Sequence, residues 1–356
     1  MVKNYLKTLL LSAFAMMLPL VASADVEINE TTFPDEGFRN WVLRQSYGQD
    51  GVLTDEEIAG VTRIMVNTNG VQNLKGIEHF TSLTTLYCSA VQLMELDVSK
   101  CTKLEVLECD WNQLTSLDVS KNTALKELVC GANPLTTLNV SMNTALTTLA
   151  CGKSLLTSLD VSKNIALTSL SCYDNQLTSL DVSQNTALKN VACYRNILTT
   201  LDVSKCTKLR YLRCEGNRLT TLNVSGCSDL EEIICYSNRI KGEAMDVLVA
   251  GLSMSGGFWG VINYKDEQNV MTKSQVATAK AKGWYVCYND SNNQWQNYEG
   301  IDDPTGIDSI HNSEFIIQNS QSSMVNGQSV YDLQGRKLSG KPARGIYIED
   351  GKKKVK

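Results

Sequence analysis

LTSLSCYDNQLTSLDVSQNTA, residues 167–187, is one copy of a 21-residue sentence that recurs from Leu83 to Asn238 as LxxLxCxxNxLTxLDVSxNTA. The cysteines keep the beat: Cys88, Cys109, Cys130, Cys151, Cys172, Cys193, Cys214 and Cys235 each lie 21 residues after the one before. A fixed period of this length marks a chain of supersecondary units, each stacking on its neighbours. Stacking is required energetically. One copy can bury Leu104, Leu107, Cys109, Leu114, Leu117 and Val119, worth roughly 1.5–3 kcal/mol apiece. Ordering its residues costs on the order of 1.5 kcal/mol each, so a copy on its own does not hold.

The skeleton, with Cys where a third Leu is expected and LTxLDVSxN after it, resembles the cysteine-ladder subgroup of bacterial surface leucine-rich-repeat proteins, the internalin J-like group, over roughly residues 61–240. The resemblance implies an α/β solenoid: a leucine-rich-repeat coil with a parallel β-sheet on its concave face, α-containing caps at both ends and a small β-rich C-terminal module. It also implies non-covalent recognition of a protein or glycan on a host or cell surface, as in adhesion. Fold alone does not name a ligand.

The chain divides accordingly into a signal peptide at 1–24, an N-terminal cap with a degenerate first repeat at 25–82, eight regular repeats at 83–240, a C-terminal cap at 241–300, and a linker with a small module at 301–356. Lys3 and Lys7, the apolar run Leu9 to Val21 and the small-residue site Ala22-Ser23-Ala24 predict export with cleavage after Ala24. That makes the protein secreted or surface-exposed, with no membrane span after cleavage. The net charge of −5 leaves no basic footprint for nucleic acid.

Twelve cysteines in an exported chain first suggest disulfides. The register argues otherwise, because equivalent residues of coils about 4.8 Å apart point the same way and hold their Cβ atoms beyond the ~3.8 Å mean of a disulfide. The eight are therefore read as buried, unreactive thiols. Cys206 and Cys227, with Cys101 in the same column where other repeats place Asn, are the better candidates for oxidation, together with Cys287.

Asn112, Asn133, Asn175, Asn196, Asn217 and Asn238 fall where the chain leaves each strand, and their amides should satisfy backbone groups freed at the bend. On the return side a Val and a Ser recur, read as core plus hydroxyl-to-backbone bonding. Asp97, Asp118, Asp160, Asp181 and Asp202 would stack like charges about 5 Å apart. That column is tolerable if each carboxylate accepts hydrogen bonds or is screened, and a calcium-binding stripe is the sharper alternative.

Before the repeats, Phe33, Phe38, Trp41, Val42 and Leu43 suggest an amphipathic helix, and Val61 to Leu74 a degenerate coil. Asp50 to Glu57 resembles the second half of a calcium-binding EF-hand loop, but Ser46 and Gly48 stand where the first half needs acids. A turn followed by a helix N-cap is the plainer reading. After the repeats, helix (Met245 to Leu252), strand (Phe258 to Tyr264), helix opened by Thr272 and Gln275, and strand (Trp284 to Tyr288) should close the core. Residues 289–306 read as a linker. The tail, with hairpin signals at Ser329 to Lys337 and Gly345 to Lys353, resembles the sorting modules of exported Bacteroidota proteins.

Residues flanking the buried Leu and Cys of each strand must point outward. In the middle repeats these are small. In the last four they are Tyr173, Asp174, Tyr194, Arg195, Tyr211, Arg213, Glu215 and Tyr236, and tyrosine and arginine dominate binding hot spots. Ordinary cross-strand pairing is the competing explanation, and a rigid spacer without a ligand is the alternative function. No catalytic or nucleotide motif is present. A carboxylate pair such as Glu108 and Glu127 lacks the cleft that glycoside hydrolysis needs, so no enzyme activity, cofactor or metal site is expected.

Overall fold

The computed structural model describes residues 25–264 and 267–302, and the backbone of short strands between Val330 and Val355. The signal-peptide segment and most of the sorting-like module lie outside the described residues. Contacts group the chain into two compact units, up to Leu135 and from Thr136 onward.

In the first unit, β1 (Val26–Glu27) pairs antiparallel with β2 (Val52–Leu53). Between them α1 (Glu36–Leu43) starts at Asp35. One Asp35 carboxylate oxygen accepts from Phe38 N at 2.9 Å and the other from Gln72 N at 2.8 Å, so a single side chain caps the helix and ties it to the first coil. Phe38, Trp41 and Val42 are buried. Phe33 precedes the helix and packs on Phe38 with ring centroids 5.8 Å apart. At the start of α2 (Asp55–Gly60), Glu57 Oε2 accepts from Thr54 N at 2.9 Å in a reciprocal capping box, and Gly51 before it turns at φ +86°. The acid at the end of the EF-hand-like stretch thus caps its own helix. Four strands, β3 (Arg63–Met65), β4 (Thr85–Tyr87), β5 (Val106–Glu108) and β6 (Glu127–Val129), then pair in parallel and in register.

The second unit repeats the arrangement with β7 (Thr148–Ala150), β8 (Ser169–Ser171) and β9 (Asn190–Ala192). Its return side adds a small parallel ladder that the sequence did not announce, β10 (Thr200–Asp202) with β12 (Thr221–Asn223). The main sheet continues through β11 (Tyr211–Arg213) and β13 (Glu232–Ile234). After α3 (Glu243–Gly251), strand β14 (Gly257–Asn263) pairs in parallel with β13; after α4 (Lys273–Ala281), β15 (Trp284–Asn289) pairs with β14. The stretch expected as a linker contributes an antiparallel edge strand, β16 (Trp295–Asn297), paired to β15. In the tail, four strands between Val330 and Val355 pair antiparallel at both expected hairpins.

The strands are three residues long because the next residues serve a bend. The middle Leu points inward, the Cys after it does too, and a left-handed residue follows, as at Trp111, Lys153, Asp174 and Arg195 with φ between 49° and 56°. Asn closes the bend: Asn196 Nδ2 donates to Cys172 O at 3.1 Å and Cys193 O at 3.0 Å, while its Oδ1 accepts from Leu177 N at 2.9 Å. One side chain thereby satisfies three buried backbone groups in two adjacent coils. Asn269, 31 residues beyond Asn238, continues this column into the C-terminal region by donating to Cys235 O and Val261 O.

On the return side a second buried Asn column does the same work, with Asn185 donating to Val161 O at 3.0 Å and Asn164 O at 2.9 Å. Cys206 and Cys227 stand in that column, and their thiols reach the equivalent carbonyls of Val182 and Val203 at 3.7 and 3.2 Å. Cys101 likewise reaches Ile77 O at 3.5 Å. These three and Cys287, the better candidates for oxidation by sequence, are as buried as the ladder cysteines. All twelve cysteines are free and buried, and burial pushes the Cys101 and Cys227 thiols up to about 12, Cys206 and Cys287 to about 11. In the main ladder Cys151, Cys193 and Cys235 rise to about 12 for the same reason. Thiolate, the reactive form, is correspondingly scarce.

The Asp column is settled locally. Asp97, Asp118, Asp160 and Asp181 each accept from the backbone amide of the Ser two residues on, at 2.8–2.9 Å. The same Ser amide, then its hydroxyl, holds each carboxyl below the usual range. The hydroxyls therefore serve the carboxylates, where hydroxyl-to-backbone bonds were expected.

A candidate binding face on the second unit

Strand alternation puts three side chains of every coil on the outer face of the sheet. Position 173 of one coil, 194 of the next, then 215 and 236, form one column; 213 lies in the column beside it. The column begins on a glycine. A Cβ on Gly152 would sit 2.7 Å from the ring atoms Cδ1 and Cε1 of Tyr173, so the tyrosine ring lies directly against the glycine backbone. Glycine within a strand column marks such a close approach. On its other side the Tyr173 ring stacks on Tyr194, with centroids 4.6 Å apart and planes 11° from parallel. Tyr194 is in turn covered by the Arg213 guanidinium, 5.2 Å from its centroid. The four residues form one continuous stack along the sheet.

Because the rings are spent on each other, their faces are occupied and their edges and hydroxyls are what the surface presents. Next to Tyr194 in the column lies Glu215. It was expected among the outward-facing residues, but it is only 4% exposed. The residues on either side of it in the column are Tyr194 and Tyr236, and both of those phenols are raised, first by burial. Glu215 Oε1 accepts from Arg213 Nη2 at 2.9 Å, while Oε2 is buried without a hydrogen-bond partner. Burial raises its pKa, partly offset by its own backbone amide, Arg213 and Arg195. Arg195 pairs loosely with Asp174 at 3.7 Å, and both sit at left-handed positions, a conformation that costs a side-chain-bearing residue roughly 1 kcal/mol. Gly216 takes that position in the next coil, where a Cβ would stand 3.3 Å from Arg195 Cγ.

Of the eight residues singled out from sequence, the structure brings together Tyr173, Tyr194, Arg195, Asp174, Arg213 and Glu215. Tyr211 is set apart. Its hydroxyl donates to Glu231 Oε2 at 2.8 Å, and Glu231 also takes Arg210 at 2.5 Å, so Tyr211 belongs to an ion-paired edge. Tyr236 lies at the far end of the column, and its neighbours were missed. The Trp295 indole, arriving from β16, covers Gly260, packs edge-on with Phe258 at 5.0 Å and reaches Tyr236 at 6.0 Å. A glycine inside the otherwise bulky strand Phe258-Trp259-Gly260-Val261 was the available signal. Reading 289–306 as a linker hid its partner.

Among the described residues no three His, Cys, Asp or Glu converge as metal ligands, and no helix is long and apolar enough to cross a membrane.

No family model and no curated protein matches the chain. Solved structures do. The functional domain of InlJ from Listeria monocytogenes, which includes a cysteine ladder, is 31% identical with a TM-score of 0.63, over 73% of this chain and 56% of that one. A leucine-rich-repeat protein from Leptospira interrogans is 21% identical, with a TM-score of 0.52 over 67% and 69% of the two chains. The leucine-rich-repeat ectodomain of the Arabidopsis thaliana receptor kinase GASSHO1/SCHENGEN3 is 18% identical, with a TM-score of 0.53 over 69% of this chain and 31% of that one. The fold is thus a leucine-rich-repeat solenoid with coils of about 21 residues. This chain spans little more than half of the InlJ domain.

Proposed function

We propose that this is an exported binding protein that recognises a protein ligand through the sheet face of its second unit, in adhesion or another cell-surface interaction. The observation that carries the reading is the stack of Tyr173, Tyr194 and Arg213 on Gly152. A solenoid needs none of these side chains for its core, which is already filled by the Leu, Cys and Val columns, and rigid aromatic and arginine side chains at the surface are the usual anchors of recognition. The geometry favours protein over glycan. A sugar ring stacks on an open aromatic face, and in this pair both faces are taken. Ring edges and hydroxyls suit a polypeptide backbone and side chains. The plant receptor kinase ectodomain was solved in complex with CASPARIAN STRIP INTEGRITY FACTOR 2.

The test is a screen of the full-length protein against protein and glycan arrays, run beside the double variant Tyr173→Ala, Tyr194→Ala. A protein hit that the variant loses by about a hundredfold, two anchor truncations at about 1.4 kcal/mol each, is the expected outcome. Protein hits that survive the double substitution, or glycan hits alone, would remove the reading.

A further inference from the structure

The charges on this face are layered. Arg195 and Arg213 are the outer groups, with side chains 70% and 47% exposed, while their carboxylate partners Asp174 and Glu215 are 27% and 6% exposed. The lower layer orients Arg213 through Glu215. Glu215 takes only Nη2 of Arg213, and the 3.7 Å separation to Asp174 leaves the Arg195 fork short of a hydrogen bond. Among the described residues no further hydrogen-bond partner engages either guanidinium, and each therefore presents N–H donors outward. Glu232, half-buried in the coil after Arg213, is the other acid near this cluster.

We infer that the ligand of this face is a polypeptide segment bearing acidic side chains, whose carboxylates dock on Arg195 and Arg213 between the tyrosine edges. This rests on the protein-binding reading above. A planar guanidinium offers paired donors matched to a carboxylate, and such charge-assisted pairs are shorter and stronger than neutral ones. Glu215 acts as a positioning residue. It holds the Arg213 guanidinium in place before the ligand arrives, which lowers the ordering cost on binding. The aromatic stack serves the same end by fixing Arg213 from its other side.

The test uses a dye-labelled alternating Glu-Gly dodecapeptide, its Gln-Gly and Lys-Gly counterparts, and sialyllactose, titrated against the full-length protein in low salt by fluorescence polarisation. The Glu-Gly peptide is expected to bind at least about tenfold tighter than the others, to weaken steeply with added NaCl, and to lose about tenfold for Arg195→Gln or Arg213→Gln, the equivalent of one charge-assisted hydrogen bond. Arg195→Gln keeps the test sound should Arg213→Gln unfold the coil, since Arg195 is mostly exposed. Glu215→Gln supplies a signature that a structural role would not give. It removes a negative charge from beneath the guanidiniums, so Glu-Gly affinity should hold or rise. Equal affinity for the neutral peptide, preference for sialyllactose, or indifference to both arginine substitutions would overturn the acidic-ligand assignment. If the array hits depend on Tyr173 and Tyr194 but the Glu-Gly peptide does not compete for them, the binding face stands and only its charge preference falls.

Discussion

The two units present the same backbone to solvent and do different things with it. In the first, the outward positions hold Val106, Glu108, Glu127, Val129 and Gly131, with Arg63 over the Tyr87 ring at 4.6 Å and Ser89 bonded to Asp110. Burial, then Glu127, raises the Glu108 carboxyl, so this face is acidic and thinly covered. In the second, Tyr173, Tyr194 and Arg213 stack across neighbouring coils beside a buried glutamate. Beneath both faces the inward Leu, Cys and Asn columns are alike. A solenoid separates scaffold from surface: the inward residues of every coil meet the same neighbours, whereas the outward residues are free to differ.

The largest effect should come from the part the units share. Asn196→Ala orphans Leu177 N and takes one of two amide donors from each of Cys172 O and Cys193 O, which keep Asn175 and Asn217; an orphaned buried group costs roughly 1–3 kcal/mol and a lost bond about 1 kcal/mol. A loss of about 3 kcal/mol is expected, and Asn112→Ala in the first unit, which strips Cys88 O and Leu93 N and leaves Cys109 O with Asn133 alone, should come close to it. Urea unfolding, with hydrogen exchange at Leu177 and Leu93 to separate local from global opening, measures both. A difference above about 2 kcal/mol would show that the interiors are not equivalent.

Gly152→Ala probes the surface alone. Its backbone tolerates alanine, but the new Cβ would stand 2.7 Å from the Tyr173 ring, so the ring must leave its place and the tyrosine stack is lost. About 1 kcal/mol of stability should go with it. The stacked-tyrosine signal in near-ultraviolet circular dichroism should vanish while the far-ultraviolet spectrum stays. Retention of that signal would mean the stack does not depend on the glycine.

The smallest effect at neutral pH concerns the Asp column. Carboxyls depressed in the folded state contribute stability above their unfolded pKa, and that contribution is lost as the pH falls through the lower folded value. For Asp97, Asp118, Asp160 and Asp181 the loss should therefore begin below about pH 4. Asn139 and Asn223 already accept from Ser141 N and Ser225 N in the same way. Replacing the four aspartates with Asn should lower the urea midpoint at pH 7 slightly, because the charged form's contribution goes while the amide oxygen still accepts, and flatten the fall between pH 4 and pH 2. An unchanged acid profile would assign acid sensitivity to other groups.

Much of the fold was legible because a period is a one-dimensional property. The 21-residue recurrence alone dictates parallel stacking, and alternation within each strand dictates which residues enter the core, so the Cys ladder and the first Asn column follow directly. Tyr173, Tyr194, Arg195 and Arg213 were legible as outward residues for the same reason. Tertiary structure decided what those side chains do to one another. Glu215 is outward by alternation yet buried, because the tyrosines flanking it from neighbouring coils and Arg213 from its own enclose it. Cys206 stands in for an asparagine because a carbonyl 24 residues earlier needs a donor there. Trp295 reaches Gly260 only because β16 folds back on β15. Each of these depends on which side chains lean across from another strand, and the period does not encode that.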